Sequence, residues 1–180
     1  LERKAGLNEG HIKMIPWLES AKAIIHCYEI CLASERLVGV AFGGEDFTHD
    51  MGIERLEDES EVSFARNQLC IAARAAEIPA LDTPYFLFKN ENGLRTNSLI
   101  AKQCGFKGKF AIHPAQIDGI NDAFSPSKEE IKHASRVVKV FEEAERVGRG
   151  STSLDGKVID VPVVKRARAL LDLASRQLKL

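Results

Sequence analysis

The sequence predicts an α/β fold with parallel strands, and three observations support this. Short apolar runs alternate with longer segments of helical periodicity four times between residues 13 and 112. Polar residues or glycine follow each apolar run, and the segments between the runs are long enough for helical crossovers. Such alternation favours parallel strands joined by helices. A chain of 180 residues is long enough for one domain with a substantial core.

The individual elements follow from the same pattern. The predicted strands are 13–18, 37–42, 80–88 and 109–112. The predicted helices between them are 20–34, 63–77 and 93–104. The segment 63–77 is rich in alanine, the strongest helix former, and Gly105 stands where a helix commonly ends.

After Asp118 the pattern changes. Ser127 and Glu130 form a capping-box signature, which predicts a charged amphipathic helix from residue 127 to about 147. Glycines interrupt the stretch GRGSTSLDG, a short apolar run surrounds Asp160, and a basic amphipathic helix is predicted from about Pro162 to the end. We therefore expect a first domain at 1–124 and a helical extension at 125–180.

Composition excludes several classes of function. The net charge is −1, and basic residues are interspersed with acidic ones, so we expect neither nucleic acid nor a membrane as a partner. No apolar run approaches the roughly 20 residues of a membrane span. The four cysteines lack metal-site spacing and are interpreted as small buried side chains in a reducing compartment. The absence of an initial methionine suggests a piece of a longer protein.

Polar residues follow each predicted strand. They are Glu19, then Gly43 to Asp46, then Asp82 and Thr83, and finally His113 and Gln116. In parallel α/β folds, ligands bind at the carboxyl ends of the strands. These four positions therefore mark the predicted functional edge.

Glu19 and Asp46 are the first candidates for metal ligands. Neither has a lysine or arginine beside it in sequence, and Mg²⁺ typically takes one or two protein carboxylates. Each acid alone is equally typical of a helix cap or first turn. Gly43 and Gly44 would let the backbone approach a ligand, with N–H groups that hold a carboxylate, or would simply form a tight turn.

His113 and Asp160 each allow two interpretations. His113 could act as a base, although a histidine fixed at a strand end by hydrogen bonds is the preferred interpretation. Asp160 lies between Ile159 and Val161, and its apolar neighbours suit a proton carrier. A cap for the following helix explains Asp160 equally well.

Five motifs in order carry a resemblance to a known family. They are PWLES, AFGGEDFTHDMG, ARAAEIPALDTPY, GFKGKFAIHPAQI and SLDGKVIDVPVVKRA. Together they resemble the citrate lyase β-subunit-like proteins of the HpcH/HpaI aldolase superfamily, which includes malyl-CoA and citramalyl-CoA lyases. The resemblance implies the C-terminal half of a (β/α)8 TIM barrel, with strands matching the fifth to the eighth. The first half would then come from the remainder of the protein or from a partner.

The resemblance also implies a Mg²⁺-dependent carbon–carbon lyase acting on a β-hydroxyacyl thioester of CoA or an acyl carrier. By motif position, Glu19 and Asp46 match the metal carboxylates, and Gly43, Gly44 and Glu45 match a loop that binds the keto-acid. His113 and Pro114 match a motif near the CoA side. Asp160 matches an acid that reaches a neighbouring subunit's active site.

Such shared active sites imply a homo-oligomer, a trimer or a hexamer, located in the cytoplasm or the mitochondrial matrix. Two other functions remain open: a metal-dependent pyruvate aldolase without CoA, and a non-catalytic barrel remnant acting as a binding module. We expect the isolated 180-residue chain to be inactive.

Overall fold

The structure is a computed structural model that describes residues 1–177. Over that range the chain divides into two compact units, residues 1–124 and Ser125 onward. In the same range, no helix is both long enough and apolar enough to cross a bilayer.

The first unit is a parallel sheet with helical connections. Its strands are β1 (Trp17–Leu18), β2 (Val40–Phe42), β3 (Ala80–Asp82) and β4 (Gly108–Lys109). Its helices are α1 (Ala21–Ile25), α2 (Cys27–Leu32), α3 (Gly44–Met51), α4 (Ser63–Ala75), α5 (Glu91–Cys104) and α6 (Ile117–Phe124). Within the described residues, these four strands pair in the order β1-β2-β3-β4, all parallel. The predicted α/β fold with a parallel sheet is confirmed.

The strands are shorter than predicted. The strand expected at 13–18 pairs only at Trp17–Leu18, with an isolated bridge from Met14 to Leu37. The strand expected at 80–88 ends at Asp82, because Pro84 has no N–H to donate to a ladder. The helix expected at 20–34 breaks at His26, whose φ of −101° and ψ of 20° depart from helical geometry.

The register of the sheet separates two sets of side chains. Trp17, Ala41, Leu81 and Gly108 stand opposite one another on one face. The other face packs against helices and supplies the core, which includes Leu18, Val40, Phe42, Leu69 and Phe106. On the first face the sheet curves enough for the rings of Trp17 and Phe110 to lie 4.5 Å apart between centroids.

The second unit consists of α7 (Lys128–Arg146), β5 (Thr152–Leu154), β6 (Lys157–Ile159) and α8 (Val161–Gln177). The predicted capping box at Ser127 and Glu130 is present, with both hydrogen bonds formed. The β5–β6 hairpin was not predicted, although Asp155-Gly156 carries the hairpin signal: both residues have positive φ. The end of the predicted final helix, residues 178–180, lies outside the described residues.

Candidate active site

Glu19 and Gly43 meet because β1 and β2 are parallel neighbours that end side by side. The Gly43 N–H donates to the Leu18 carbonyl at 3.1 Å. The Glu19 side chain lies directly on the Gly43 α-carbon, where an added Cβ would stand 2.5 Å from Glu19 Oε2 and 2.6 Å from Glu19 Cβ. Glycine is therefore required at position 43 to leave room for the Glu19 carboxylate.

Glu19 and Asp46 are brought together as predicted. Asp46 lies in the first turn of α3, which begins directly after Gly43. Burial raises the pKa of Glu19, and the charge of Asp46 and a hydrogen bond between the two side chains raise it further. Two carboxylates this close favour a shared proton or a bound cation.

The donor set fits a hard divalent cation that keeps other positions for water and substrate. Over residues 1–177, no lysine or arginine forms an ion pair with Glu19 or Asp46. No group of three or more His, Cys, Asp or Glu residues in the same range is arranged as a metal cage. A pair of carboxylates is sufficient for Mg²⁺, which usually binds through one or two.

The first turn of α3 has two N–H groups available, but they are not those of the glycines. The Gly43 N–H is bonded to Leu18, and the Gly44 N–H donates to Thr83 Oγ1 at 3.1 Å. In the described part of the chain, the N–H groups of Glu45 and Asp46 have no backbone acceptor. Such groups at a helix start attract anions.

Asp50, at the C-terminal end of α3, has a structural role. Its Oδ2 accepts a hydrogen bond of 2.7 Å from the Ala21 N–H, at the start of α1. Ser20 caps the same helix by accepting from the Ala23 N–H at 3.2 Å. Asp50 is therefore a cap that ties α3 to the residues that directly follow Glu19.

Asp82 does not join the Glu19–Asp46 site. It points to the helix side of the sheet, where Arg66 Nε and Nη2 contact its two oxygens at 3.1 and 2.7 Å. Lys109 Nζ donates to Asp82 Oδ2 at 2.6 Å. The interpretation of Asp82 as part of a ligand-facing edge was wrong, because the period-2 alternation of β3 turns residue 82 toward α4.

Arg66, Lys109 and Glu59 form a buried network with Asp82 that sequence reasoning missed. Burial disfavours the charge of Lys109 more than its acidic neighbours favour it, and the pKa of Lys109 is lowered. Burial acts likewise on Arg66, but Asp82 and Glu59 outweigh it, so the pKa of Arg66 is raised. Arg66 lies between Ala65 and Leu69 on the buried face of α4. A charged residue on that apolar face was the feature of the sequence that could have indicated a buried ion pair.

His113 is exposed, and its Nδ1 accepts from the Ala115 N–H at 3.2 Å. Its ring stacks on Phe88 with centroids 4.9 Å apart. Pro114 starts a short 3-10 turn, Pro114–Gln116. Gln116 is fully buried and donates to the Tyr85 carbonyl at 2.7 Å. This geometry matches a histidine held at a strand end, and Gln116 joins the loops that follow β3 and β4.

The cysteines are free thiols, as the sequence indicated. Cys27, Cys31 and Cys70 are buried, and Cys104 is half-buried. Burial raises the pKa of Cys31 to about 11 and that of Cys70 to about 12. Thiols with such pKa values are poor nucleophiles at neutral pH.

Asp160 lies between β6 and α8 in the second unit. Its Oδ1 accepts from the Val163 N–H at 3.2 Å, and its carbonyl accepts from Val164. Asp160 is therefore a helix cap. Its Oδ2 makes no hydrogen bond among the described residues, so the cap leaves one carboxylate oxygen available.

Comparisons with known proteins agree with the geometry. The family model HpcH/HpaI aldolase/citrate lyase matches residues 1–114. The chain is 39% identical to citrate lyase subunit beta from Haemophilus influenzae over 174 residues, which are 97% of this chain and 60% of that protein. It is 31% identical to the mitochondrial citramalyl-CoA lyase of Homo sapiens, over 93% of this chain and 52% of that protein.

A solved structure is also similar. The CitE protein of Mycobacterium tuberculosis, in complex with magnesium, acetoacetate and coenzyme A, superposes with a TM-score of 0.79 at 28% identity. The match covers 91% of this chain and 61% of that one. The chain thus spans between about half and three fifths of the length of these relatives. The family match and the motif order show that this chain belongs to the HpcH/HpaI aldolase/citrate lyase family.

Proposed function

We propose that the protein is a Mg²⁺-dependent carbon–carbon lyase that cleaves a β-hydroxyacyl thioester of the malyl, citramalyl or citryl type. The observation that carries the proposal is the Glu19–Asp46 pair, in which Glu19 lies on Gly43 and neither acid has a basic partner within residues 1–177. Relatives named citrate lyase subunit beta and citramalyl-CoA lyase support the reaction class. A related structure that contains magnesium, acetoacetate and coenzyme A supports the ligands.

We also propose that the first unit is the second half of a (β/α)8 barrel. Within the described residues, β1 and β4 each have one unpaired edge, and such edges invite pairing with further strands. The curved face that carries Trp17 and Phe110 would line the barrel interior. The chain covers 60% of citrate lyase subunit beta from Haemophilus influenzae, which is consistent with part of a barrel.

In this proposal Glu19 and Asp46 hold the metal ion. When bound, Mg²⁺ would act as a Lewis acid toward the hydroxyl and carboxylate oxygens of the substrate. The N–H groups of Glu45 and Asp46 orient the substrate carboxylate at the start of α3, where the helix dipole favours negative charge. The Glu45 side chain itself is exposed, so its contribution comes from the backbone. Gly43 and Gly44 contribute by leaving space.

The reaction then requires one proton to leave and one to arrive. The substrate hydroxyl gives its proton to water, its C–O bond becomes a carbonyl, and the bond to the α-carbon of the thioester breaks. The electron pair forms a thioester enolate, which takes up a proton to give the acetyl-CoA-type product. Asp160, supplied by a neighbouring subunit, is the proposed proton donor, and its free Oδ2 suits that role.

The remaining expectations complete the proposal. His113 and Pro114 lie beside the thioester's carrier group, and the active form is a homo-oligomer. The stacked rings of His113 and Phe88 form an exposed flat surface that suits such a contact.

The test uses the intact protein with Glu19→Gln and Asp46→Asn. Each variant should lose Mg²⁺-dependent cleavage of malyl-CoA or citramalyl-CoA by more than about 100-fold, the upper end of the loss expected for an outer-shell metal partner. Asp122→Asn, an exposed acid on α6, is the matched control and should retain activity.

Three results would contradict the proposal in different ways. Unchanged turnover in either site variant would refute the metal assignment. Cleavage of a free hydroxy-keto-acid, with none of a CoA thioester, would identify a pyruvate aldolase. No turnover of any such substrate by the intact wild-type protein would favour the non-catalytic binding module.

A further inference from the structure

Arg55 follows α3 in the chain and returns to its first turn. Its side chain is only 16% exposed. A Cβ added at Gly44 would stand 2.7 Å from Arg55 Nη1 and 3.3 Å from Arg55 Cζ. The guanidinium therefore packs directly on the α-carbon of Gly44, the first residue of α3.

Gly44 is held from a second direction as well. Its N–H donates to Thr83 Oγ1, and an added Cβ would also meet Thr83 Cγ2 at 3.3 Å. The start of α3 thus lies between the Arg55 guanidinium and the residue that follows β3. Asp46 and its N–H group are two residues further along the same turn, so any movement of Gly44 moves them.

Arg55 is itself fixed by acids. Its Nη2 donates to Glu59 Oε1 at 2.6 Å, and its Nη1 lies 3.4 Å from Glu61 Oε1. Its Nε lies 3.9 Å from Glu45 Oε2, at the exposed start of α3. Because Glu59 and Glu61 balance its charge, the effect of Arg55 on α3 comes mainly from shape and position.

Glu59 links this contact to the buried network. It is 4% exposed, and its Oε2 accepts from Asn97 Nδ2 at 2.6 Å and lies 3.4 Å from Arg66 Nη1. Its φ of 54° is uncommon for a residue other than glycine. Glu59 therefore adopts a strained backbone conformation at the position where its side chain binds Arg55.

We propose that Arg55 is a positioning residue, which fixes the first turn of α3 so that Asp46 holds the metal ion beside Glu19. The inference rests on the proposed function, because it assigns Arg55 a role in that same site. In this role Arg55 is not itself a ligand of the metal ion or the substrate. It acts through Gly44, and the network of Glu59 keeps it there.

The experiment measures metal affinity directly. Trp17 is the chain's only tryptophan and precedes Glu19 by two residues, so its fluorescence should be quenched by Mn²⁺. The intact protein is titrated with Mn²⁺ as wild type, Arg55→Lys and Gly44→Ala. Lysine keeps the charge but lacks the planar fork, and alanine pushes the guanidinium away from α3. Both variants should bind Mn²⁺ about tenfold more weakly, as expected for a group that orients a ligand.

The matched control is Arg36→Lys. Arg36 is half-buried and pairs with Glu2 at 2.8 Å, and among the described residues its side chain makes no hydrogen bond or ion pair with α3, Arg55 or Glu59. Arg36→Lys loses the same planar fork and should lower thermal stability while leaving Mn²⁺ affinity within about twofold of wild type. Saturating metal should restore kcat in Arg55→Lys, since the substrate contacts remain.

The outcomes separate the inference from the proposed function. If wild type shows neither Mn²⁺ binding nor cleavage, the proposed function fails. If wild type binds and both Arg55→Lys and Gly44→Ala bind equally well, only the positioning role fails. Equal losses in Arg55→Lys and Arg36→Lys also overturn it, because the loss would then reflect general destabilisation. Should Arg55→Lys not fold, Gly44→Ala decides alone.

Discussion

Two pairs of neighbouring strand ends carry carboxylates, and the chain treats them differently. At the ends of β1 and β2, Glu19 and Asp46 face each other without an ion-pair partner in the described residues. At the ends of β3 and β4, Asp82 lies fully buried between Arg66 and Lys109. The second arrangement is neutralised by cations of the same chain, whereas the first is open to a proton or a cation from outside. The difference shows why an acid at a strand end indicates a binding site only when its own chain leaves it unneutralised.

The largest expected effect comes from disrupting the buried ion pairs of Asp82 with Arg66 and Lys109. Asp82→Ala removes the anion between two buried cations, and loss of one member of such a network costs about 3–5 kcal/mol of stability. Urea unfolding followed by circular dichroism measures the change in the free energy of unfolding.

A second variant keeps this prediction testable if Asp82→Ala does not fold. In Asp82→Leu/Arg66→Met/Lys109→Met, Asp82 and the two cations bound to it are replaced by apolar side chains, while Glu59 keeps its contacts to Arg55 and Asn97. This variant should recover most of the lost stability. A loss below about 1 kcal/mol in Asp82→Ala would mean that water reaches these cations and that the network is not closed.

The next prediction tests the close packing of the Glu19 side chain on Gly43. Gly43→Ala introduces a Cβ 2.5 Å from Glu19 Oε2, so the carboxylate must move or the strands must separate. Overpacking of this kind costs about 1–3 kcal/mol. The measurements are thermal stability and Mn²⁺ quenching of Trp17, and both should decrease.

Gly150→Ala is the matched control for that substitution. Gly150 has negative φ and open space around the position of a Cβ, so alanine there should be neutral or slightly stabilising. If Gly43→Ala behaves like Gly150→Ala, Glu19 is free to leave its place on Gly43, and the pair is not preorganised.

A smaller expected effect is a pH dependence of stability caused by Glu19, one of the two acids without an ion-pair partner among the described residues. The pKa of folded Glu19 lies above its ordinary value of 4.5. Its contribution to stability is therefore fully present below pH 4.5 and is lost as the pH rises through the raised pKa. Compared with Glu19→Gln, the metal-free wild type should become relatively less stable between about pH 4 and about pH 7. Urea unfolding of both proteins at the two pH values gives the difference.

Adding Mg²⁺ completes the pH test. At neutral pH the ion should stabilise the wild type by mass action and leave Glu19→Gln nearly unchanged. A pH-independent difference between the two proteins would show that Glu19 and Asp46 do not interact in solution.

The smallest effect concerns the nearby acid with a structural role. Asp50→Ala removes the side chain that accepts from the Ala21 N–H, and loss of a helix cap typically costs about 1 kcal/mol. Thermal denaturation should show this loss, while Mn²⁺ affinity should remain that of the wild type. Weaker Mn²⁺ binding in Asp50→Ala would instead show that Asp50 contributes to the metal site together with Glu19 and Asp46.

The sequence alone predicted the parallel α/β fold, the helix cap at Ser127 and the pairing of Glu19 with Asp46. These follow from local rules: hydrophobic periodicity, capping chemistry, and the convergence of parallel strands at one edge. The motif resemblance added the family, which the comparisons confirmed.

The tertiary structure decided which charges are already matched. Arg66, Lys109 and Glu59 are ordinary charged residues in the sequence, and only the packing of α4 against β3 and β4 gathers them around Asp82. Likewise, Arg55 reaches Gly44 because the chain folds back after α3, a contact that no local pattern encodes. Electrostatic pairing depends on distances between segments far apart in sequence. The sequence could therefore name the acids, and only the fold could show that Glu19 and Asp46 have no cationic side chain beside them among the described residues.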